Sequence, residues 1–300
     1  MVMASSPRGD ASDTPGIRTE FDASTGVGTI LLARPRSANA LRPVDLYDLR
    51  DAVRAFERMN VPVGGAGRER PTGAGEVKCV VLSSEGERHF CAGLDLAEAA
   101  SVFGIGTRSR QLSREGHAAE CEGTEREELF NRIRELQDCV TCISRASFPV
   151  IAVVSGACYG LGVDIISAAD IIICDESARF CVKEVDMAIT ADLGSLQRLP
   201  PIIGLNNARE LAMTCRVFDG SEAQRMGLVS SVSPSAAALR DGARRLSESI
   251  AAKPTLALRG TKRILNGAYG SHVGSLDMNA MNNAAIMVSE QLRAKLRARL

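Results

Sequence analysis

Histidine is scarce in this 300-residue chain: His89, His117 and His272 are the whole complement, far apart and without nearby ligand residues. That excludes a histidine-rich metal site and the metallohydrolase chemistry that goes with one. Net charge is lacking as well. The 36 basic and 36 acidic side chains cancel, so no overall field draws the protein to nucleic acid or an anionic membrane, and anion recognition must be local. There is no long apolar run, although 45% of the side chains are hydrophobic; this describes a soluble globular chain with enough material for one large domain or a domain plus a subdomain. A disulfide framework is not indicated. The nine cysteines are an odd number, and Cys79, Cys174 and Cys181 lie in apolar segments, which suits reduced core thiols in a reducing compartment. The amino-terminal segment, 1–18, is rich in Ser, Pro, Gly and Asp, lacks both a signal core and a transit-peptide pattern, and is expected to be disordered.

Residues 28–33 and 78–83 are short apolar, β-branched runs expected to form buried strands. Between them, Leu46, Leu49, Val53 and Phe56 recur at helical spacing and predict a helix over 43–59. The Gly-, Pro- and charge-rich stretch 62–75 reads as an exposed loop. A second helix is expected over 125–145, with Leu129, Ile133, Leu136, Val140 and Ile143 on one stripe. Strand runs at 149–155 and 170–174 flank a glycine-rich turn and a helical stretch at 163–169. This alternation predicts an α/β fold with strands covered on both faces, occupying 19–220. From 221 to 300 the chain becomes mostly helical, with helices expected at 236–252, at 255–266 and from 278 onward, and this region resembles an oligomerisation element.

Two segments carry candidate chemistry. Gly156-Ala157-Cys158-Tyr159-Gly160-Leu161-Gly162-Val163-Asp164 follows an apolar strand and opens a helix, so its free backbone N–H groups can face one anion. The glycine spacing differs from that of a dinucleotide fingerprint, and tight packing of the turn is the plainer reading. His89-Phe90-Cys91-Ala92-Gly93-Leu94-Asp95-Leu96 places small residues at a strand end, where backbone can approach a ligand. Cys139-x-x-Cys142 lies on an apolar helix stripe with no second pair, which favours core packing over redox or zinc chemistry.

Together with Asn39-Ala40-Leu41, these two segments resemble the enoyl-CoA hydratase/isomerase (crotonase) superfamily, and the resemblance spans residues 19–300. It implies a ββα spiral core with a carboxy-terminal α-helical oligomerisation region, assembled as a homotrimer or a homohexamer. It also implies an oxyanion hole for a thioester carbonyl made by the N–H groups of Leu94 and Leu161; the family usually has glycine where Leu161 stands. Contact with the coenzyme A part of the substrate would fall to Arg36, Ala38, Ala92, Gly93, Leu94, Asp95, Leu96 and Gly162, with Lys262 reaching the phosphate from a neighbouring subunit. No metal, flavin or nicotinamide cofactor is implied.

Members of this superfamily share the oxyanion hole and differ in their acids and bases. Hydratases carry glutamate at the position of Asp164 and at that of Glu184; here the first is aspartate, and Asp192 adds a third acid. Singly these have bland readings: an early-helix charge, half of a surface pair with Lys183, and a turn residue. Jointly, with Ser195-Leu196-Gln197-Arg198-Leu199-Pro200, they resemble the Δ3,5-Δ2,4-dienoyl-CoA isomerase branch. That reaction removes a proton from C2 and adds one to C6, which two separate carboxyls achieve better than one. Glu184 is expected at C2, Asp192 at C6, and Asp164 between them as an orienting charge. Asp170, Asp175 and Asp186 are read as structural. The alternatives are an enoyl-CoA hydratase, a Δ3,Δ2-enoyl-CoA isomerase, or a non-catalytic acyl-CoA- or RNA-binding member. Ala298-Arg299-Leu300 is similar to the Ser-Lys-Leu signal read by the peroxisomal import receptor, so the expected location is the peroxisome or a related organelle, with the mitochondrial matrix as the alternative.

Overall fold

A computed structural model describes residues 15–60, 75–95, 98 and 118–267. Leu96, most of the expected 62–75 loop, the expected last helix and the carboxy-terminal tripeptide lie outside them, as do residues 1–14 of the expected amino-terminal segment. Ile17 and Arg18, inside the segment expected to be disordered, belong to a strand: β1 (Ile17–Asp22) pairs antiparallel with β2 (Val27–Leu32), with Ile17 opposite Leu32. Ile17 is buried while its neighbours alternate outward, and one strand edge suffices to order the segment despite its polar composition.

The chain then climbs as a spiral. After α1 (Pro43–Asn60), β3 (Cys79–Ser84) and β4 (His89–Cys91) go to two different sheets. After α2 (Ala118–Arg145), β5 (Val150–Val154) and β6 (Ala157–Tyr159) repeat the step. The short α3 (Leu161–Ser167) leads to β7 (Ile171–Asp175) and β8 (Arg179–Cys181), which repeat it again. Next come α4 (Ser195–Ile203), α5 (Leu205–Thr214), β9 (Phe218–Asp219), α6 (Gly220–Met226), β10 (Ser231–Ser233), α7 (Ala236–Ala251) and α8 (Thr255–Gly267). The larger sheet runs β1-β2-β3-β5-β7-β10, parallel beyond β2; the smaller runs β4-β6-β8-β9.

All five residues of β5 are buried, as a central strand covered on both faces requires. Its alternation divides the two cores: Val150, Ala152 and Val154 face the large core with Phe56, Phe90, Phe148 and Phe180, whereas Ile151 and Val153 join Cys79, Ile173, Leu239 and Ala243 beneath α7. Residue 220 is therefore not a boundary of packing. The region expected to be an appended helical unit returns β10 to the large sheet beside β7 and lays α7 across that sheet, because Leu239 and Ala243 supply the apolar cover that the outer sheet face needs. Helix α2 starts at Ala118, earlier than its apolar stripe predicts. Among the described residues no helix is long and apolar enough to cross a membrane.

Candidate active site

The two candidate segments meet. Leu41 donates its N–H to the Gly93 carbonyl at 2.9 Å, and Asp95 donates to the Leu41 carbonyl at 2.8 Å, a parallel bridge that turns the N–H of Leu94 toward the opposite edge. On that edge runs the β6–α3 turn: a Cβ placed on Gly93 would lie 3.5 Å from the Tyr159 carbonyl oxygen. A Cβ on Gly162 would lie 3.0 Å from both the Cβ and the carbonyl oxygen of Cys91. Glycine at 162 thus lets the first turn of α3, with Leu161 at its start, seat against the end of β4. The side of Gly162 that a side chain would occupy is thus taken up by this packing contact.

Asn39 secures the neighbouring loop. It is fully buried; its Nδ2 donates to the carbonyls of Glu85 at 2.9 Å and His89 at 2.7 Å, and its Oδ1 accepts from Arg34 N–H at 2.9 Å. Ala92 donates to the Ala38 carbonyl at 3.0 Å, so two segments expected to contact coenzyme A lie side by side. Arg36 is exposed on the 3-10 turn Pro35–Ser37 beside them. Asp95 is engaged within the protein. Its carboxylate accepts from Arg34 Nη1 at 3.1 Å, tying the Leu94 strand to the first spiral turn.

Lys262 is not at this surface. Only 6% exposed, its Nζ donates to the Ile143 and Phe148 carbonyls at 3.2 and 2.9 Å and pairs with Asp170 Oδ2 at 2.7 Å. All three ammonium donors are committed, so the expected phosphate contact is corrected to a structural one; sequence alone could not tell a buried lysine from a solvated one. Lys262→Met should cost about 1–3 kcal/mol of stability, because the Ile143 and Phe148 carbonyls lose their donor and Asp170, which keeps only the Val150 N–H, loses its ion-pair partner. Denaturation and KM measured together check this: a raised KM for acyl-CoA with unchanged stability would return Lys262 to the phosphate.

The three acids come together from helix α3 and the connection between β8 and α4. Asp164, in the first turn of α3, is 2% exposed, and its Oδ1 accepts the Ser195 N–H at the start of α4 at 2.7 Å. Burial pushes its carboxyl up to about 6, against the opposing pull of the Ser195 bond and of Arg198. Glu184 is 9% exposed and its Oε2 has no hydrogen-bond partner. Burial first, and then the Asp164 charge, push this carboxyl up to about 7. Its Oε1 stands 3.2 Å from where a Cβ on Gly160 would be, immediately beside Leu161. Lys183 is not its partner; that ammonium bonds Asp186 at 2.5 Å. Asp192 is exposed at the rim, yet the protein around it displaces enough water to raise its carboxyl as well. Of the thiols, Cys139 and Cys142 are pushed up to about 11 and about 12 by burial, inert values that match core packing.

A cavity of about 210 Å³ opens beside Glu184, between the loop after β8 and helices α4 and α5, and is lined by Ala191, Leu196, Leu199, Ala208 and Met213 among others. Nothing in the sequence pattern marked it. Of the polar groups that hold the acids, Ser195 and Arg198 stood in the segment that resembles the isomerase branch, with no role assigned to them, and Gln137 was missed, since it reads as part of a solvated helix face.

An unpartnered, proton-retaining carboxyl beside a backbone turn and an apolar cavity is suited to moving protons on an apolar substrate. The family model described as Enoyl-CoA hydratase/isomerase matches residues 22–295. A protein of Arabidopsis thaliana named peroxisomal Delta(3,5)-Delta(2,4)-dienoyl-CoA isomerase is 42% identical over 226 residues, 75% of this chain and 77% of that one. The mitochondrial protein of the same activity name from Dictyostelium discoideum is 32% identical over 282 residues, covering 94% of this chain and 87% of its own. The crystal structure of enoyl-CoA hydratase from Bacillus anthracis superposes with a TM-score of 0.76 at 27% identity, covering 94% of this chain and 95% of that one. The spiral of paired strands, the acids gathered at its α3 turn and these likenesses agree: the chain belongs to the enoyl-CoA hydratase/isomerase family.

Proposed function

We propose that this protein is a Δ3,5-Δ2,4-dienoyl-CoA isomerase acting in the β-oxidation of unsaturated fatty acids. The observation that carries the reading is the carboxyl set itself: Glu184, with a free buried oxygen and a carboxyl pushed up to about 7, is close enough to both Asp164 and the rim acid Asp192 to feel their charges. Relatives bearing that activity name at 32–42% identity support it. The thioester oxygen lies against the N–H groups of Leu94 and Leu161, where the dienolate charge collects. Glu184 takes the proton from C2 and Asp192 delivers one to C6, after which the two carboxyls return to their starting states by exchange through solvent. Asp164 supplies a neighbouring negative charge that keeps a proton in the site. The reaction is redox-neutral and is driven by thioester activation, so the chain needs no cofactor beyond the coenzyme A of its substrate.

The apolar cavity beside Glu184 suits the distal acyl chain. Arg36, Ala38 and the Ala92–Asp95 turn lie on the side where coenzyme A would enter. Val185, Met187, Ile189, Leu205 and Met213 are exposed, an apolar surface of the kind that assembly covers, which fits a homotrimer or a dimer of trimers. The peroxisome is the favoured location, with the mitochondrial matrix as the alternative, since relatives carry both designations.

The test is optical. Mixing the protein with 3,5-octadienoyl-CoA should produce the conjugated 2,4-dienoyl thioester chromophore at enzymatic rates. No chromophore, together with hydration of a monoenoyl-CoA, would replace the isomerase with a hydratase.

A further inference from the structure

Asp192 lies in a stretch, residues 188–194, that has neither helix nor strand, and its side chain is exposed. No secondary structure therefore fixes where its carboxyl points. Two side chains hold the backbone on its carbonyl side. Gln137 Nε2 of α2 donates to the Asp192 carbonyl at 2.7 Å, and Arg198 Nη1 of α4 donates to the next carbonyl, that of Leu193, at 3.1 Å. The two grips are joined, since Arg198 Nη2 donates to Thr141 Oγ1 at 3.0 Å, and Thr141 follows Gln137 by one helical turn on the same face of α2. Arg134 Nη1 donates to Gln137 Oε1 at 3.0 Å, which aims the amide nitrogen at the loop. Gly194 completes the fit. With φ +115°, it has no Cβ where Arg198 Nη1 would be 2.2 Å away, so the guanidinium folds under the loop in space that any side chain would occupy.

We infer that Gln137, Thr141 and Arg198 form a clamp that positions Asp192 for proton transfer at the distal end of the diene. The inference rests on the isomerase reading of the site and adds residues that reach Asp192 through its loop; Gln137 and Thr141 touch neither of the other two acids, whereas Arg198 also donates to the Asp164 carbonyl at 3.4 Å. They are positioning residues, because each bonds backbone or another clamp member. The effect is local by construction: Glu184 lies in the same β8–α4 connection but on the far side of the 3-10 turn Val185–Met187, which sets it apart from Asp192, and it receives no bond from the clamp. Displacing a proton donor by about 1 Å can cost on the order of 100-fold in rate, so a loosened loop should slow delivery at one end of the substrate and spare removal at the other.

The experiment compares full-length wild type with Thr141→Val, Thr141→Ser and Gln137→Leu, on 3,5-octadienoyl-CoA in D2O. Valine keeps the shape of threonine without the acceptor, serine keeps the acceptor, and leucine removes the amide donor. Thr141→Val and Gln137→Leu should lower kcat by about 10- to 100-fold with KM changed less than about threefold. Deuterium should still enter C2 at close to the wild-type rate while its delivery to C6 falls, and Thr141→Ser should recover most of kcat. Wild-type kcat in both weakened variants, or an equal loss of exchange at C2 and C6, would overturn the clamp. Should Gln137→Leu fail to fold, the Thr141 pair answers by itself. Failure of the wild type to isomerise the substrate is a different result, and would remove the isomerase reading instead.

Discussion

Asp192→Asn and Glu184→Gln should each lower kcat for dienoyl-CoA isomerisation by about 10²–10⁴-fold, the usual worth of a positioned acid or base, while failing at opposite ends of the diene. In Glu184→Gln the C2 proton has no acceptor, so neither product nor exchange of deuterium into C2 is expected. Asp192→Asn retains the proposed base and the two amides proposed to receive the enolate charge, so C2 should still exchange with solvent while C6 receives no proton. Product chromophore and deuterium content at each carbon, read together, check both expectations. The reverse pattern would exchange the roles of the two acids, and an unimpaired variant at either position would end the two-acid shuttle. Asp164→Asn should be milder in rate and visible in pH dependence: without its charge beside Glu184, the carboxyl that now titrates at about 7 should titrate lower. The acid limb of the kcat/KM profile should move down with it.

Stability should fall as pH rises from about 4 to about 7, and Glu184→Gln should abolish much of that fall. The sign follows from the direction of the shifts. Glu184 moves from 4.5 up to about 7 and Asp164 from 3.8 up to about 6 on folding, both chiefly through burial. A carboxyl raised in the folded state favours folding below its unfolded pKa, and that advantage is lost as pH climbs through the folded pKa, because the folded chain must then hold the buried charge. One pKa unit corresponds to about 1.4 kcal/mol, so each acid represents at most about 3 kcal/mol, shared because the two sites interact. Urea denaturation at pH 4.5 and pH 8 should find Glu184→Gln about as stable as wild type at the lower pH and about 2 kcal/mol more stable at the higher one. An equal stability difference at both pH values would mean that Glu184 titrates as a solvated acid, and the proton-holding account of the site would fail. A gain in stability with loss of turnover is the expected trade where an active site keeps charge out of water.

Much of the architecture was legible in the order of residues. Helix α1 carries Leu46, Leu49, Val53 and Phe56 on one stripe, and all four are buried; β5 is an unbroken apolar run, and it is the strand covered on both faces. Those signals survive in one dimension because a periodic pattern needs no knowledge of what it packs against. The three-residue strands β4, β6 and β8 were not legible, being too short for a two-residue period, yet their sheet sets the candidate segments beside each other. Leu239 and Ala243 looked like part of an appended unit and instead seal the outer face of the main sheet.

The candidate site divides in the same way. Sequence alone determined the kinds of residue available, namely two glycine-containing turns and three acids at the spacings of one superfamily, and with them the reaction class. Tertiary structure alone decided what each group can do. It buried Lys262 on Asp170, spent Asp95 on Arg34, turned Gly162 toward Cys91, left Glu184 Oε2 without a partner and placed Gln137 under Asp192. The physical reason is common to all of these: proton affinity and hydrogen-bond commitment depend on the water and charge within a few ångströms of a group. In this chain those neighbours come from segments tens of residues away, brought together only when the spiral closes.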